Sequence, residues 1–449
     1  MMMHPQIGLS RRGTQPGNQN RQRSDTGAWR PVIRRIPSLL LAFLVAWGSG
    51  ALAGSGGSLY SIGGIGDIRY YPNVRGIAMG YTGIGIPGAN YINSISPATW
   101  SRIGRTRMDA GFLSEGFQTT DGTISRYLAR ADFAGAMIAV PISEQNGIVL
   151  AGGFTPYSRV NYDNYTNGTH QSPPDTLNYT LHQVGSGGLN KGHIGLSYLL
   201  LPNLAIGAGV GYIFGTIEKS LIQIPTSTAH SGGTTKESTT YTGVSYTISA
   251  LYTGLGDIAE PLRPLALGFV LNTRASLHTV AQSTYNFTSE YDTSSETRGR
   301  SVAPFSYGIG LAYQAGERYI FAADYFAQPW SQTEIEGHTP DNIRDSYRFG
   351  IGAERLPSKD INASWYDKWS YRLGYSYNAT YYQFNGQPIN EWVATCGLAF
   401  PFSGDSRVSV AFEYGGRGSL SNGLVKDNIY RISVSLNFSE LWFNRYEED

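Results

Sequence analysis

The run Asn428-Ile429-Tyr430-Arg431-Ile432-Ser433-Val434-Ser435-Leu436-Asn437-Phe438-Ser439 decides the fold class. Tyr430, Ile432, Val434, Leu436 and Phe438 fall on one side of an extended chain, and Arg431, Ser433, Ser435, Asn437 and Ser439 fall on the other. Successive strand side chains point to opposite faces, so the run is a strand with one greasy and one polar face. The pattern repeats upstream. Tyr371, Leu373, Tyr375 and Tyr377 alternate with Arg372, Gly374, Ser376 and Asn378, while Leu204 to Phe214 and Val244 to Tyr252 set apolar residues against glycines and hydroxyls. No segment beyond the N-terminal region sustains a 3.6-residue period. The runs 203–219, 239–255 and 428–443 exceed the ~9–11 residues that cross a bilayer at a tilt. They also exceed the ~5–6 residues usual for a soluble sandwich. Aromatics gather at run ends (Trp330, Trp369, Tyr381, Trp392, Trp442), where a ring with a polar handle suits the headgroup level.

Composition agrees. The chain has 449 residues, 15% charged and 13% aromatic, with 56 Gly and 31 Tyr. Charged residues make up roughly 25% of an ordinary soluble domain, so these strands are expected to face lipid on one side. A net charge of +1 gives no field for gripping nucleic acid. The lone Cys396 excludes a disulfide scaffold and a Cys-based zinc site. The seven His residues show no metal-ligand spacing, and neither a nucleophile elbow nor a phosphate-binding loop is present, so no catalytic residue, metal or cofactor is assigned.

Arg34-Arg35, the apolar run Leu39 to Trp47, and Ala51-Leu52-Ala53 have the order of a secretory signal peptide cleaved before Gly54. Residues 1–53 are therefore read as a signal peptide with an N-terminal extension, translation starting near Val32. Fourteen candidate strands follow between 105 and 443, with tight turns at one end and longer Ser/Thr/Asn/Gly-rich connections (160–181, 219–238, 284–300, 334–343) at the other. The expected architecture is all-β: a single transmembrane antiparallel barrel, with both termini at the short-turn, periplasmic end. Residues 444–449 form a short tail.

Residues 54–104 read differently. They carry Gly63-Gly64-Ile65-Gly66 and Gly83-Ile84-Gly85-Ile86-Pro87-Gly88 but no long alternating strand, and they are too rich in Ile for a solvated tail. A plug packed inside the barrel, where glycines permit close approach, fits them. The stretch Arg75-Gly76-Ile77-Ala78-Met79-Gly80-Tyr81-Thr82-Gly83, followed by Asn93-Ser94-Ile95-Ser96-Pro97-Ala98-Thr99-Trp100, resembles the N-terminal hatch of the FadL/TodX family. That resemblance implies a fourteen-strand outer-membrane barrel closed by the hatch, with Arg75, Met79, Gly80, Gly83, Asn93, Ser96, Pro97 and Ala98 as hatch or gating residues. Two positions depart from the pattern: Ser96 stands where the family motif has Asn, and Tyr81 where it usually has Gly. Ser96 is expected to keep the hydrogen-bonding role.

The resemblance also implies uptake of a hydrophobic molecule and a lateral exit at a kink in the third strand. Passage through bulk water would cost such a solute about 25 cal/mol per Å² of apolar surface. The third candidate strand contains Gly152, Gly153 and Pro156, and Pro156 cannot donate to a ladder, so a break is expected there. The charges Arg130, Asp132, Asp324, Arg348, Glu354, Arg372, Arg407, Glu413 and Arg431 sit at inward positions and read as a network holding the plug. The first functional expectation is a channel for a hydrophobic or aromatic small molecule in the outer membrane of a Gram-negative bacterium, monomeric, surrounded by lipid and inserted by the barrel-assembly machinery. The second is a non-transporting relative that binds an exported surface protein as a secretion-associated shuttle or anchor.

Overall fold

Alternation along each run builds a closed antiparallel barrel of fourteen strands. The computed structural model describes residues 57–442 apart from 173–174, 228–229, 288–289, 294–295, 336, 339 and 341. The expected signal peptide and C-terminal tail lie outside the described residues.

The strands are β1 (Thr106–Thr120), β2 (Ser125–Ser143), β3 (Ile148–Pro156 and Tyr162–Ser172), β4 (Asp175–Leu201), β5 (Leu204–Pro225), β6 (Gly233–Tyr252) and β7 (Leu265–Asn272 and Ala275–Phe287). They continue as β8 (Thr297–Ala303 and Ser306–Ala315), β9 (Tyr319–Gln328), β10 (Ser346–Arg355), β11 (Ser370–Phe384), β12 (Gln387–Ser403), β13 (Ser406–Gly418) and β14 (Lys426–Glu440). Each strand pairs with the next. β1 closes the ring on β14, with Thr106 opposite Glu440 and Thr120 opposite Lys426. Closure leaves no ring-wide free edge, which a bilayer-spanning sheet requires.

The decisive run behaves as its alternation dictates. Tyr430 and Phe438 are exposed on the outside, whereas Arg431, Ser433, Ser435 and Asn437 are buried inside. Outward rings stack across strands, through Tyr307–Tyr325–Tyr347–Tyr377 on β8 to β11 and Trp392–Tyr414–Tyr430 on β12 to β14. The band goes on through Phe112–Phe133–Phe154–Phe214. It is the aromatic girdle that an outer-membrane barrel places at its interface.

The long connections differ from expectation. Most of 160–181 and 219–238, and the start of 284–300, are not loops but continuations of the hairpins β3–β4, β5–β6 and β7–β8 beyond the girdle. Their Thr, Tyr and Ile content favours strands, and water satisfies whatever the pairing leaves open. The wall is therefore lopsided, since β4 has 27 residues while β9 and β10 have 10 each.

Candidate functional site

The N-terminal segment, residues 57–104, contributes short turns, the five-residue helix α1 (Val74–Ala78) and a 3-10 turn at Pro97–Arg102. It touches inward-facing side chains around the ring. Asn73 starts α1: its Oδ1 accepts from Gly76 N at 2.7 Å, and its Nδ2 donates to Ile92 O at 2.9 Å. Asn93 then ties the segment to itself, donating to Gly83 O (2.8 Å) and accepting from Ile95 N (2.9 Å), while its carbonyl accepts from Trp100 Nε1 (2.7 Å).

Several residues named from the sequence meet the wall. Arg75 Nε and Nη2 reach Glu354 Oε2 on β10 at 2.8 and 2.5 Å, and Arg372 on β11 holds the other carboxylate oxygen at 2.8 Å. Both guanidiniums lie 5.1 Å from the Tyr91 ring centre, and Arg372 Nη2 donates to the Tyr91 hydroxyl at 2.7 Å. Gly80 N donates to Thr395 Oγ1 at 3.0 Å. Gly80 has φ +69, and a Cβ there would collide with the Ile351 and Tyr375 carbonyls, so only glycine fits. Gly83 N and Ile84 N share Asp324 Oδ2 at 2.7 and 2.8 Å. Ala98 N donates to Ser249 Oγ on β6 at 2.8 Å. Met79 is buried against Ile86 and Ala98, and Pro97 opens the 3-10 turn.

Ser96 departs from expectation. Its hydroxyl is buried and has no hydrogen-bond partner among the described residues; only its carbonyl is used, by Thr99. The serine Oγ is too short to do what an amide could, and Asn93 carries the bonding instead.

The charge network is larger than its sequence outline. Glu115 on β1 accepts from Arg69 at 2.6 and 3.0 Å and from Arg431 at 3.1 Å, and also pairs with Arg130. Arg417 on β13 holds Asp67 at 3.0 Å and pairs with Glu391 on β12, which also takes Arg431 at 3.1 Å. Tyr382 donates to Asp67 at 2.7 Å, and Ser58 donates to Asp427 at 2.5 Å. Glu115, Glu391, Arg417 and Asp427 were not singled out from sequence, although each occupies an inward position of its strand. Among the described residues no cluster of three or more His, Cys, Asp or Glu is arranged to hold a metal.

The third strand is interrupted, but not at its glycines. Gly152 and Gly153 stay paired on both sides, with Ile138 and Met137 on β2 and with Ile194 and His193 on β4. Pairing with β2 ends at Ala136–Phe154, whereas on the other side the regular register stops at Pro156–Asn190 but Tyr157 N and Val160 N still donate to Leu189 O and Gly187 O of β4 at 2.9 and 3.0 Å. Ser158 and Arg159 then pair with Asp67 and Ile68 of the N-terminal segment. The strand resumes at Tyr162 against β4 alone, so among the described residues the upper parts of β2 and β3 share no ladder. Proline ends the ladder because it has no N–H to give. Phe133, Ala134 and Pro156 at this gap line an internal cavity of about 110 Å³, together with Tyr70, Phe326 and Arg348. A second cavity of about 110 Å³ lies beside it across Ile68 to Tyr71.

The family model described as BamG matches residues 32–448 of this chain. Among solved structures, a Pseudomonas aeruginosa FadL homologue is similar over 83% of this chain and 98% of its own, at 13% identity and a TM-score of 0.54. The P. putida toluene transporter TodX is similar over 83% of this chain and 99% of its own, at 16% identity and 0.53. The Ralstonia pickettii toluene transporter TbuX matches over 82% and 98%, at 15% and 0.52. No curated protein matches the sequence. At these identities the structural likeness shows the fold, that of the FadL/TodX-type outer-membrane barrels.

Proposed function

This chain belongs to the BamG family, and we propose that it is an outer-membrane channel taking up a hydrophobic or aromatic small molecule. In this reading residues 54–104 are a hatch closing the barrel, and the solute leaves sideways beside β3. The observation that carries the reading is the missing β2–β3 ladder above Ala136 and Phe154, next to an internal cavity that Phe133, Ala134 and Pro156 help to line. A solute in that cavity could pass toward lipid without crossing bulk water, whose avoidance is worth about 25 cal/mol per Å². Two structures of the same fold are toluene transporters, which supports an aromatic substrate. Arg75, Gly80 and Gly83 would hold the hatch against the wall, Asn93 would hold the hatch together, and Pro156 would keep the exit unpaired.

The test is uptake of labelled toluene by cells of a host lacking such a channel. Cells carrying the chain should take it up faster than cells with an empty vector, and Pro156→Val, which returns a ladder donor, should slow the gain. Equal uptake with and without the chain sinks the reading.

A second reading has its own support. The tall β3 to β8 side of the wall stands beyond the girdle as a polar, strand-built surface, suited to holding an exported surface protein as a shuttle or anchor. Loss of surface-protein attachment on deleting the gene, with toluene uptake unchanged, favours it.

A further inference from the structure

The guanidiniums that face the hatch have partners among the described residues: most meet carboxylates, Arg107 and Arg159 donate to carbonyl and amide oxygens, and Arg348 lies over the Tyr70 and Tyr81 rings. Arg69, Arg75, Arg372, Arg417 and Arg431 each pair with Glu or Asp. Lys191, on the inward face of β4, makes no ion pair or hydrogen bond among the described side chains, and its ammonium faces the second cavity. Around it the wall is built from unusually open positions. In one register row Gly153 of β3, His193 of β4, Gly211 of β5 and Ser245 of β6 lie side by side. Lys191 Nζ and Ser245 Oγ converge over the missing side chain of Gly211, lying 3.2 and 3.0 Å from where its Cβ would stand. Ser245 is 4% exposed, and its Oγ has no partner among the described residues.

An unanswered ammonium beside an unpaired hydroxyl in a partly dry chamber is costly, and a bound anion removes the cost. We infer that Lys191 and Ser245 form a subsite for the carboxylate of a small monoanionic solute. The rest of the chamber supports a compact apolar body. Tyr71, Ile213 and Phe326 also line it, and a chamber of about 110 Å³ is comparable to the ~150 Å³ cavity that accepts one benzene ring. The inference deepens the channel reading, because it assigns the solute a negative charge and a place beside the β3 break, but binding itself is measurable without transport.

The experiment titrates benzoate and toluene into the purified full-length barrel in detergent, following ligand signals by NMR. Wild type is expected to bind benzoate at least about tenfold more tightly than toluene, the gain of one charge-assisted contact. Lys191→Met should remove that preference and leave toluene binding as it was; Lys191→Arg should keep most of it. Gly211→Ala, which puts a methyl between the ammonium and the hydroxyl, should weaken benzoate alone. Heat-modifiable migration reports whether each variant is folded, and the wild-type preference stands without any variant. Equal binding of the two ligands by wild type, or unchanged benzoate binding in a folded Lys191→Met, overturns the subsite while leaving a toluene channel intact. Binding of neither ligand, with no toluene uptake, overturns both.

Discussion

The Tyr81 hydroxyl donates a 2.7 Å hydrogen bond to the Glu413 carboxylate while the Tyr81 backbone sits at φ 67, a left-handed conformation that favours glycine. The Arg348 guanidinium lies 4.5 Å over the same ring. Two terms oppose each other here. The backbone costs on the order of 1–3 kcal/mol, and a hydrogen bond to a charged group contributes about 1.5–3 kcal/mol. Tyr81→Phe keeps the strain and loses the bond, so it should destabilise the barrel by about 1.5–3 kcal/mol. Tyr81→Gly relieves the strain but also deletes the ring and its contact with Arg348, so it should be at least as destabilising as Tyr81→Phe. Urea titration read by gel shift compares them; a Tyr81→Phe variant as stable as wild type would refute the role of the bond.

Asn93 and Ser96 stand three residues apart in the same turn, yet only Asn93 bonds through its side chain. Asn93→Ala strands the Gly83 carbonyl and the Ile95 N–H and should cost about 2 kcal/mol or more. Ser96→Ala removes a hydroxyl that nothing answers and should stay within about 0.5 kcal/mol of wild type. The same urea titration separates them, and a larger loss at Ser96 than at Asn93 would contradict the assignment.

Much of this was legible. The alternation of Tyr430 to Phe438 gives the barrel wall directly, because one side chain in two must face lipid and the other the lumen. Gly80 was legible as a point of close approach, and Tyr81 as a departure, although its bond to Glu413 spans 332 positions and no local pattern announces it. Glu115, Glu391 and Arg417 show only as charges at inward positions; which cation meets which carboxylate depends on where the N-terminal segment crosses the lumen. Gly152, Gly153 and Pro156 together mark β3 as a place for a break; the glycines stay paired, since a glycine still donates to its ladder, and the pairing with β2 stops beside the proline. His193 was noted only for lacking metal spacing, and its relation to Lys191, Gly211 and Ser245 appears only when four strands come into register.

The buried phenols of the N-terminal segment make it alkali-sensitive. Burial first, and the Asp427 carboxylate next, push the Tyr60 phenol up from 10.0 to about 12. Burial raises Tyr70, Tyr71 and Tyr81 as well. A group whose pKa is higher folded than unfolded stabilises the fold fully below the unfolded value and loses that contribution as pH rises through the folded one. Stability should therefore hold to about pH 10 and fall between about pH 10 and 12, and Tyr60→Phe should shift part of that fall. A flat gel-shift profile from pH 9 to 12 would speak against these phenols being neutral and buried.

The carboxylate of Glu354 is shared by Arg75 of the N-terminal segment and Arg372 of the wall, and the two sides of that sharing should fail unequally. Arg75→Ala leaves Glu354 paired with Arg372, so the barrel should stay folded while the segment loses one of its anchors. Glu354→Gln leaves two buried guanidiniums without a counter-charge, and breaking a buried pair from one side costs about 3–5 kcal/mol. In planar bilayers Arg75→Ala should show occasional openings over a closed baseline, Glu354→Gln more frequent ones, and deletion of residues 56–100 a permanently raised ion conductance. The order follows from which charge is left unanswered. Should the deletion conduct no better than wild type, these residues do not close the lumen; should Arg75→Ala open more often than Glu354→Gln, the shared carboxylate is not what holds the segment.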